Sequence, residues 1–321
     1  MNVPVSLRSL AFRQEDLLAS HQCDAIGVTV GMRRRLVRAG RWARVTRGVY
    51  DVDPSRDRRR ASEHRRRRAA WLGMLAYGPD AIAVGSCALA LHGANGLPRD
   101  IQPEVALPSG RSGLGRDGIR VRQLSTVESE RFGDRQIATL HFALVTALPE
   151  LGRLHAVAVL DDLVHRGRLS MVEQLAPRLR GRRNCIEAIE WLALVDGRAE
   201  SPLETFARLE CIDAGIPPDE LQLVVTAHDG TFLGRGDLAW RLVGGRWLVV
   251  EVDGREFHDQ PDALHRDRIR QNAMLLRGDV DLLRFTSTDL ATRGLVGRTV
   301  REALRADRER SYRRETGNGR R

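Results

Sequence analysis

Apolar and polar positions change their spacing along the chain, and three stretches follow from the changes. In residues 1–55, RQEDLLASH (13–21) fits one short helix. VGMRRRLVRA fits a second, with Thr29 as N-cap and Gly40 as C-terminal glycine. Met32, Leu36 and Val37 share a face of that second helix, which leaves Arg33, Arg34, Arg35 and Arg38 largely outside it. RWARVTRGVYDVD (41–53) then alternates around a glycine turn, as a two-stranded wing does. Helix, helix, wing is the layout of a winged helix-turn-helix, a DNA-reading head.

Residues 56–198 read as a mostly helical middle domain. RDRRR and RRRR, within residues 56–69, read as a solvated helix face or linker. Residues 82–93 read as a helix, followed by helices near 144–151, 155–166, 170–179 and 184–195. One strand pair, PEVALP (103–108) and GIRVRQL (118–124), flanks a Gly/Ser-rich loop. His92, His141, His155 and His165 are scattered and have no metal-ligand spacing.

Residues 199–309 hold a pattern of α-β-β-β-α-β-α. Ser201 is an N-cap, Pro202 opens the helix, and Glu204 stands three residues on. LQLVVTA (221–227), the turn His228-Asp229-Gly230, a strand over 231–242, the turn Gly244-Gly245 and RWLVVEVDG (246–254) follow. A helix over 262–277, the strand VDLLRF (280–285) and a helix over 294–308 complete the module. The charged tail, 310–321, reads as disordered. The fold class is therefore α/β and multidomain.

Charge adds a partner to this picture. The net charge is +10, and every one of the 52 basic residues is arginine. Codon bias explains the absence of lysine, but arginine still grips phosphate bidentately, and the excess suits a polyanion such as DNA. The four cysteines, Cys23, Cys87, Cys185 and Cys211, form no CxxC pair. No leader pattern or membrane-length apolar run is present, so the chain reads as cytoplasmic and free of the membrane.

The acids in the third stretch carry the chemistry. Antiparallel pairing about residues 244–245 brings Asp237 near Glu251 and Asp253, which leave the same face of their strand. A carboxylate within VVEVDG needs something to offset its desolvation, and a divalent cation does so. Hard oxygen ligands suit Mg²⁺ or Mn²⁺. His258 follows on a loop, and Arg266 and Arg270 lie four apart on the next helix, where they can clamp phosphate. Each has a plainer reading. Glu204 completes a capping box, Asp237 is a solvated strand-end acid, Asp253 begins a turn, His258 is a surface histidine, and Arg33–Arg35 form a solvated face.

The order α-β-β-β-α-β, with Asp237 and then Glu251-Val252-Asp253, resembles the PD-(D/E)XK nuclease superfamily. The fuller series SPLE, RGDLAW, VVEVDGREFH, RDRIRQNAML and LLRFT resembles the DUF559 family, which is similar to very-short-patch-repair mismatch endonucleases. The resemblance spans about residues 199–290. It implies a Mg²⁺-dependent endonuclease site with Asp237 and Glu251 as metal ligands and Glu204 approaching from the first helix. The lysine expected two residues after Glu251 is Asp253 here. Mismatch-repair-type relatives use histidine instead, which gives His258 the role of activating water. Over about residues 10–95, LLASH, AGRWARVTRGVY and GPDAIAVGSCALALHG resemble the N-terminal domain of AbiEi-type antitoxins of type IV toxin–antitoxin systems. That likeness implies a winged-helix DNA-binding fold, transcriptional autoregulation and a cognate toxin that the chain does not identify. Two functions compete: a metal-dependent DNA endonuclease, and a non-catalytic DNA-binding regulator of antitoxin type whose C-terminal module keeps its fold without turnover.

Overall fold

The computed structural model describes residues 5–55, 61–108, 114–227, 229–253 and 276–317. The chain is mixed α/β and divides into two compact units. One is Met1–Ala156 with Met171–Ala193, and the other is Val157–Ser170 with Leu194–Arg321.

The first unit begins with α1 (Val5–Arg13), β1 (Leu17–Ala19), α2 (Ser20–Ala25), α3 (Val30–Arg38), β2 (Ala43–Thr46) and β3 (Val49–Asp51). The strands form an antiparallel sheet in the order β1-β3-β2. The single helix expected over 13–21 is not formed. Glu15 and Asp16 take φ of 56° and 63° and turn the chain out of α1. The following Leu-Leu-Ala has a core on each side: Leu17 and Ala19 enter one, Leu18 the other. A strand serves two cores in alternate steps, and a helix cannot. The second helix is as expected, with Met32 N donating to Thr29 Oγ1 at 3.4 Å.

Two arginine readings change. Arg33 lies three residues before Leu36 and so shares its buried face. It is only 3% exposed and donates to Asp24 Oδ1 at 2.6 Å and to the carbonyl of Val28 at 2.7 Å. Arg34, Arg35 and Arg38 are exposed. Residues 56–60 of the expected solvated arginine run lie outside the described residues; in α4 (Ser62–Tyr77), Arg67 and Arg68 instead grip the turn before β1 and strand β3. Arg67 Nε donates to Glu15 Oε1 at 2.7 Å, and Arg68 Nη2 to Asp51 Oδ2 at 2.6 Å. Trp71 and Met74 of the same helix pack with Leu17 and Val49.

The expected helix over 82–93 is β4 (Ile82–Ala83) followed by α5 (Gly85–Leu91). The strand pair is part of a larger sheet of β4, β5 (Glu104–Ala106), β6 (Arg120–Arg122), β7 (Ser129–Phe132) and β8 (Arg135–Ala138), in the order β6-β5-β4-β8-β7. β5 and β6 run parallel. Helices α6 (Leu140–Ala147), α7 (Arg153–His165), α8 (Leu175–Leu179) and α9 (Cys185–Trp191) match the expected helices within a few residues.

The second unit contains α10 (Pro202–Asp213), β9 (Glu220–Thr226), β10 (Phe232–Arg241), β11 (Trp247–Asp253), β12 (Val280–Thr286), α11 (Ser287–Leu290) and α12 (Leu295–Gly317). Its sheet order is β12-β11-β10-β9, antiparallel except for the parallel β11–β12 pair. Ala207 and Cys211 of α10 and Val296 and Val300 of α12 cover one face with Leu238 and Val250. Val225, Ala239, Val249 and Val280 form a second cluster. The helix expected over 262–277 lies almost wholly outside the described residues. The expected disordered tail is corrected as far as Gly317, because α12 continues to that residue.

Two buried acids brace this unit. Asp161 Oδ1 accepts from Asp196 N at 2.8 Å, and its Oδ2 accepts from Thr205 Oγ1 at 2.7 Å and Arg208 Nη2 at 2.8 Å. Asp307 of α12, 3% exposed, accepts from Val243 N at 2.9 Å and from Arg246 Nη1 at 3.3 Å. It thereby holds the reversal between β10 and β11. Among the described residues, no helix is long and apolar enough to cross a membrane.

Candidate active site

The first turn of α10 places Glu204. Ser201 caps the helix, its Oγ accepting from Glu204 N at 3.3 Å. The Glu204 side chain does not close the expected capping box onto Ser201. It reaches one residue further, where Oε2 accepts from Glu200 N at 2.9 Å and from Gln222 Nε2 at 2.8 Å. Among the described residues, Oε1 of this buried carboxylate has no hydrogen bond. Burial raises its proton affinity above the ordinary carboxylate range, and the neighbouring Glu200 adds to that against the hydrogen bonds.

Pairing of β10 with β11 places Asp237. Leu238 faces Val250, so the next rung sets Asp237 opposite Glu251 as the sequence pattern requires. Gly236 permits the close approach, because a Cβ there would collide with the Val249 side chain. Asp237 Oδ2 accepts from Val252 N at 2.7 Å, and its Oδ1, like Glu204 Oε1, has no partner among the described residues. Burial and then the Glu204 charge push the Asp237 carboxyl up to about 7. The Val252 amide opposes the rise, and Glu251 adds to it. A carboxyl some three units above an ordinary aspartate resists ionisation by on the order of 4 kcal/mol. A cation beside it removes that resistance.

Glu251, 8% exposed, has a protein cation within reach. Arg284 of β12 is its parallel partner, with Nε 3.4 Å from Glu251 Oε2 and Nη2 2.6 Å from Asp253 Oδ2. The desolvation of Glu251 is therefore offset in part by arginine, which the pattern VVEVDG alone does not reveal. Arg235, which lowers the proton affinity of Asp237, is paired with Glu200 at 2.5 Å.

One helix and two strands thus carry Glu204, Asp237 and Glu251. The oxygen donors suit a hard divalent ion in type. Among the described residues, however, no three His, Cys, Asp or Glu side chains stand close enough together to hold a metal ion as they are. The half-free carboxylates of Asp237 and Glu204, and the buried, unpartnered Oε1 of Gln222, are the features that fit a cation. His258, Arg266 and Arg270 lie outside the described residues. Gln222 and Arg284 were missed by sequence reasoning. The signals were a polar residue inside LQLVV and a charge inside LLRF.

No family model matches this chain. It is similar to two curated proteins of Mycobacterium tuberculosis, uncharacterized protein MT2308 of strain CDC 1551 / Oshkosh and uncharacterized protein Rv2248 of strain ATCC 25618 / H37Rv. Each is 34% identical over 155 residues, which is 48% of this chain and 56% of the relative. The matched part therefore spans about half the length of the curated relatives.

Proposed function

We propose that the second unit carries a divalent-cation-dependent site that hydrolyses DNA phosphodiester bonds, and that the N-terminal head holds DNA as a winged helix. One observation carries the nuclease reading. Two neighbouring carboxylates, the half-buried Asp237 and the buried Glu204, each have one oxygen tied to a protein N–H and the other without a partner among the described residues. Acids fixed this way are oriented for a cation. The succession α10, β9, β10, β11 and β12 and the free thiols support this reading.

Mg²⁺ or Mn²⁺ would supply a polarised phosphoryl oxygen and a more acidic bound water. Asp237, Glu251 and Glu204 would hold the ion, with Asp253 beside them. His258 would orient the attacking water and receive its proton, and Arg266 and Arg270 would contact the phosphate. In the head, exposed Arg34, Arg35 and Arg38 meet the DNA backbone, and Arg33 holds the helix in place.

The purified chain with Mg²⁺ or Mn²⁺ is expected to nick plasmid DNA, and Asp237→Ala and Glu251→Ala to abolish nicking. Cutting unchanged in both variants ends the assignment. A second reading is favoured by Arg284, which already holds Glu251 and Asp253 where a lysine is expected. In that reading the chain is a DNA-binding regulator of antitoxin type, with a cognate toxin as partner and no turnover. DNA binding without cutting in either metal identifies it.

A further inference from the structure

Gln222 breaks the habits of the strand that carries it. Its φ is 57°, the left-handed region that a residue with a side chain seldom enters. Leu221 joins the core beneath α10, whereas Leu223 and Val225 join the other cluster, so the alternation of β9 slips at Gln222. The slip falls at the rung of Asp237, since Leu221 pairs with Leu238 and Leu223 with Gly236. There the Gln222 amide donates to Glu204 Oε2 at 2.8 Å, while its own Oε1 is buried with no hydrogen-bond partner among the described residues. A strained backbone and an orphaned acceptor are both unfavourable, and they coincide where two half-free carboxylates meet.

We propose that Gln222 is a positioning residue for a divalent cation held by Asp237 and Glu204. Its N–H fixes Glu204 with one oxygen available, and its carbonyl oxygen accepts a hydrogen bond from the water shell of the ion. This rests on the reading of the acidic pair as a cation site. The chemistry of an amide suits the place. The donor end favours the ionised form of Glu204, and the acceptor end complements metal-bound water, a strong donor. A carboxylate at residue 222 would repel Glu204, and an apolar side chain would leave Glu204 without its second donor. The left-handed backbone aims the amide at α10.

The test is Mn²⁺ titration of the full-length chain by calorimetry, together with the metal-free melting temperature. Gln222→Gly relieves the backbone and removes the amide. Gln222→Met keeps the length and removes both donor and acceptor. Each is expected to bind Mn²⁺ about tenfold more weakly than the wild type. The melting temperature of the glycine variant is expected not to fall. If Gln222 served only the sheet, melting would drop and Mn²⁺ affinity would stay, which overturns the proposal. Asp237→Asn separates the two levels of inference. Wild-type and Asp237→Asn chains that both fail to bind Mn²⁺ overturn the cation site and this role together. Binding that is lost in Asp237→Asn and unchanged in both Gln222 variants overturns this role alone.

Discussion

Asp161 and Asp237 are aspartates of the same unit, both withdrawn from solvent, and they differ in how their oxygens are used. Asp161 is 1% exposed and gives both oxygens to protein donors, Arg208 among them. Asp237 gives one oxygen to the Val252 amide and has only other acids as its nearest charges of consequence apart from Arg235. The first is a closed arrangement that braces α10, and the second an open one. A buried acid alone does not identify a site, because Glu104 is equally buried and equally closed by Ser86 N and Arg122. The unsatisfied half of the group is what points to a ligand. The same contrast separates Arg33, locked to Asp24, from its exposed neighbours Arg34 and Arg35.

Breaking the closed member gives the largest effect. Arg208→Met strands the Asp161 charge in the interior and is expected to lower stability by about 3–5 kcal/mol. Urea unfolding measures this, and a loss below about 1 kcal/mol would show that the pair is not closed in the way described.

The open member responds to pH in the opposite sense to a paired acid. The Asp237 carboxyl sits at about 7, against about 3.9 in an unfolded chain. Between about pH 4 and 7 the folded chain keeps a proton that the unfolded chain has released, so this group's contribution to stability falls as pH rises through that window. Metal-free Asp237→Asn is therefore expected to gain about 2.6 kcal/mol over the wild type at pH 8 relative to pH 5. Mn²⁺ affinity of the wild type runs the other way, climbing up to about tenfold per pH unit toward 7 as the proton is displaced. An affinity flat from pH 5 to 7 contradicts both statements.

The arginine contrast is sharpened by DNA binding. Replacing Arg34, Arg35 and Arg38 together by alanine is expected to flatten the slope of log affinity against log salt by roughly 2.7, at about 0.9 for each phosphate no longer neutralised. Melting should hardly change. Arg33→Ala is expected to lower melting, because it leaves Asp24 and the Val28 carbonyl without their donor.

The smallest expected effect concerns Arg284, which is one-third exposed. Arg284→Met removes the resident cation from Glu251 and Asp253, and Mn²⁺ affinity is expected to rise about threefold, the scale of a screened ion pair. Weaker binding in this variant would mean that Arg284 helps to hold the ion.

Much of the second unit was legible because its signals are local. Ser201-Pro202 starts a helix, Gly244-Gly245 reverses a strand, and the apolar run of β11 fixes what is buried. Together these place Asp237 opposite Glu251. What was not legible depends on distant partners. Nothing near Gln222 announces a left-handed strand residue, because its reason lies at Glu204 and Asp237. Arg67 and Arg68 read as solvated until the turn that supplies Glu15 and the strand that supplies Asp51 are in place. The Leu17–Ala19 segment looks helical by composition and becomes a strand because two cores claim its alternate residues.

Asp307 has a reach beyond its own helix. A one-residue slip of β10 against β11 would send Asp237 and Glu251 to opposite sides of the sheet, and the Val243–Asp307 bond is a peg against that slip. A chain clipped ahead of Asp307 would retain all four acids yet lose the device that indexes them. Truncations that remove Asp307 are thus interventions at the acidic centre, delivered through the β10–β11 reversal that this residue holds.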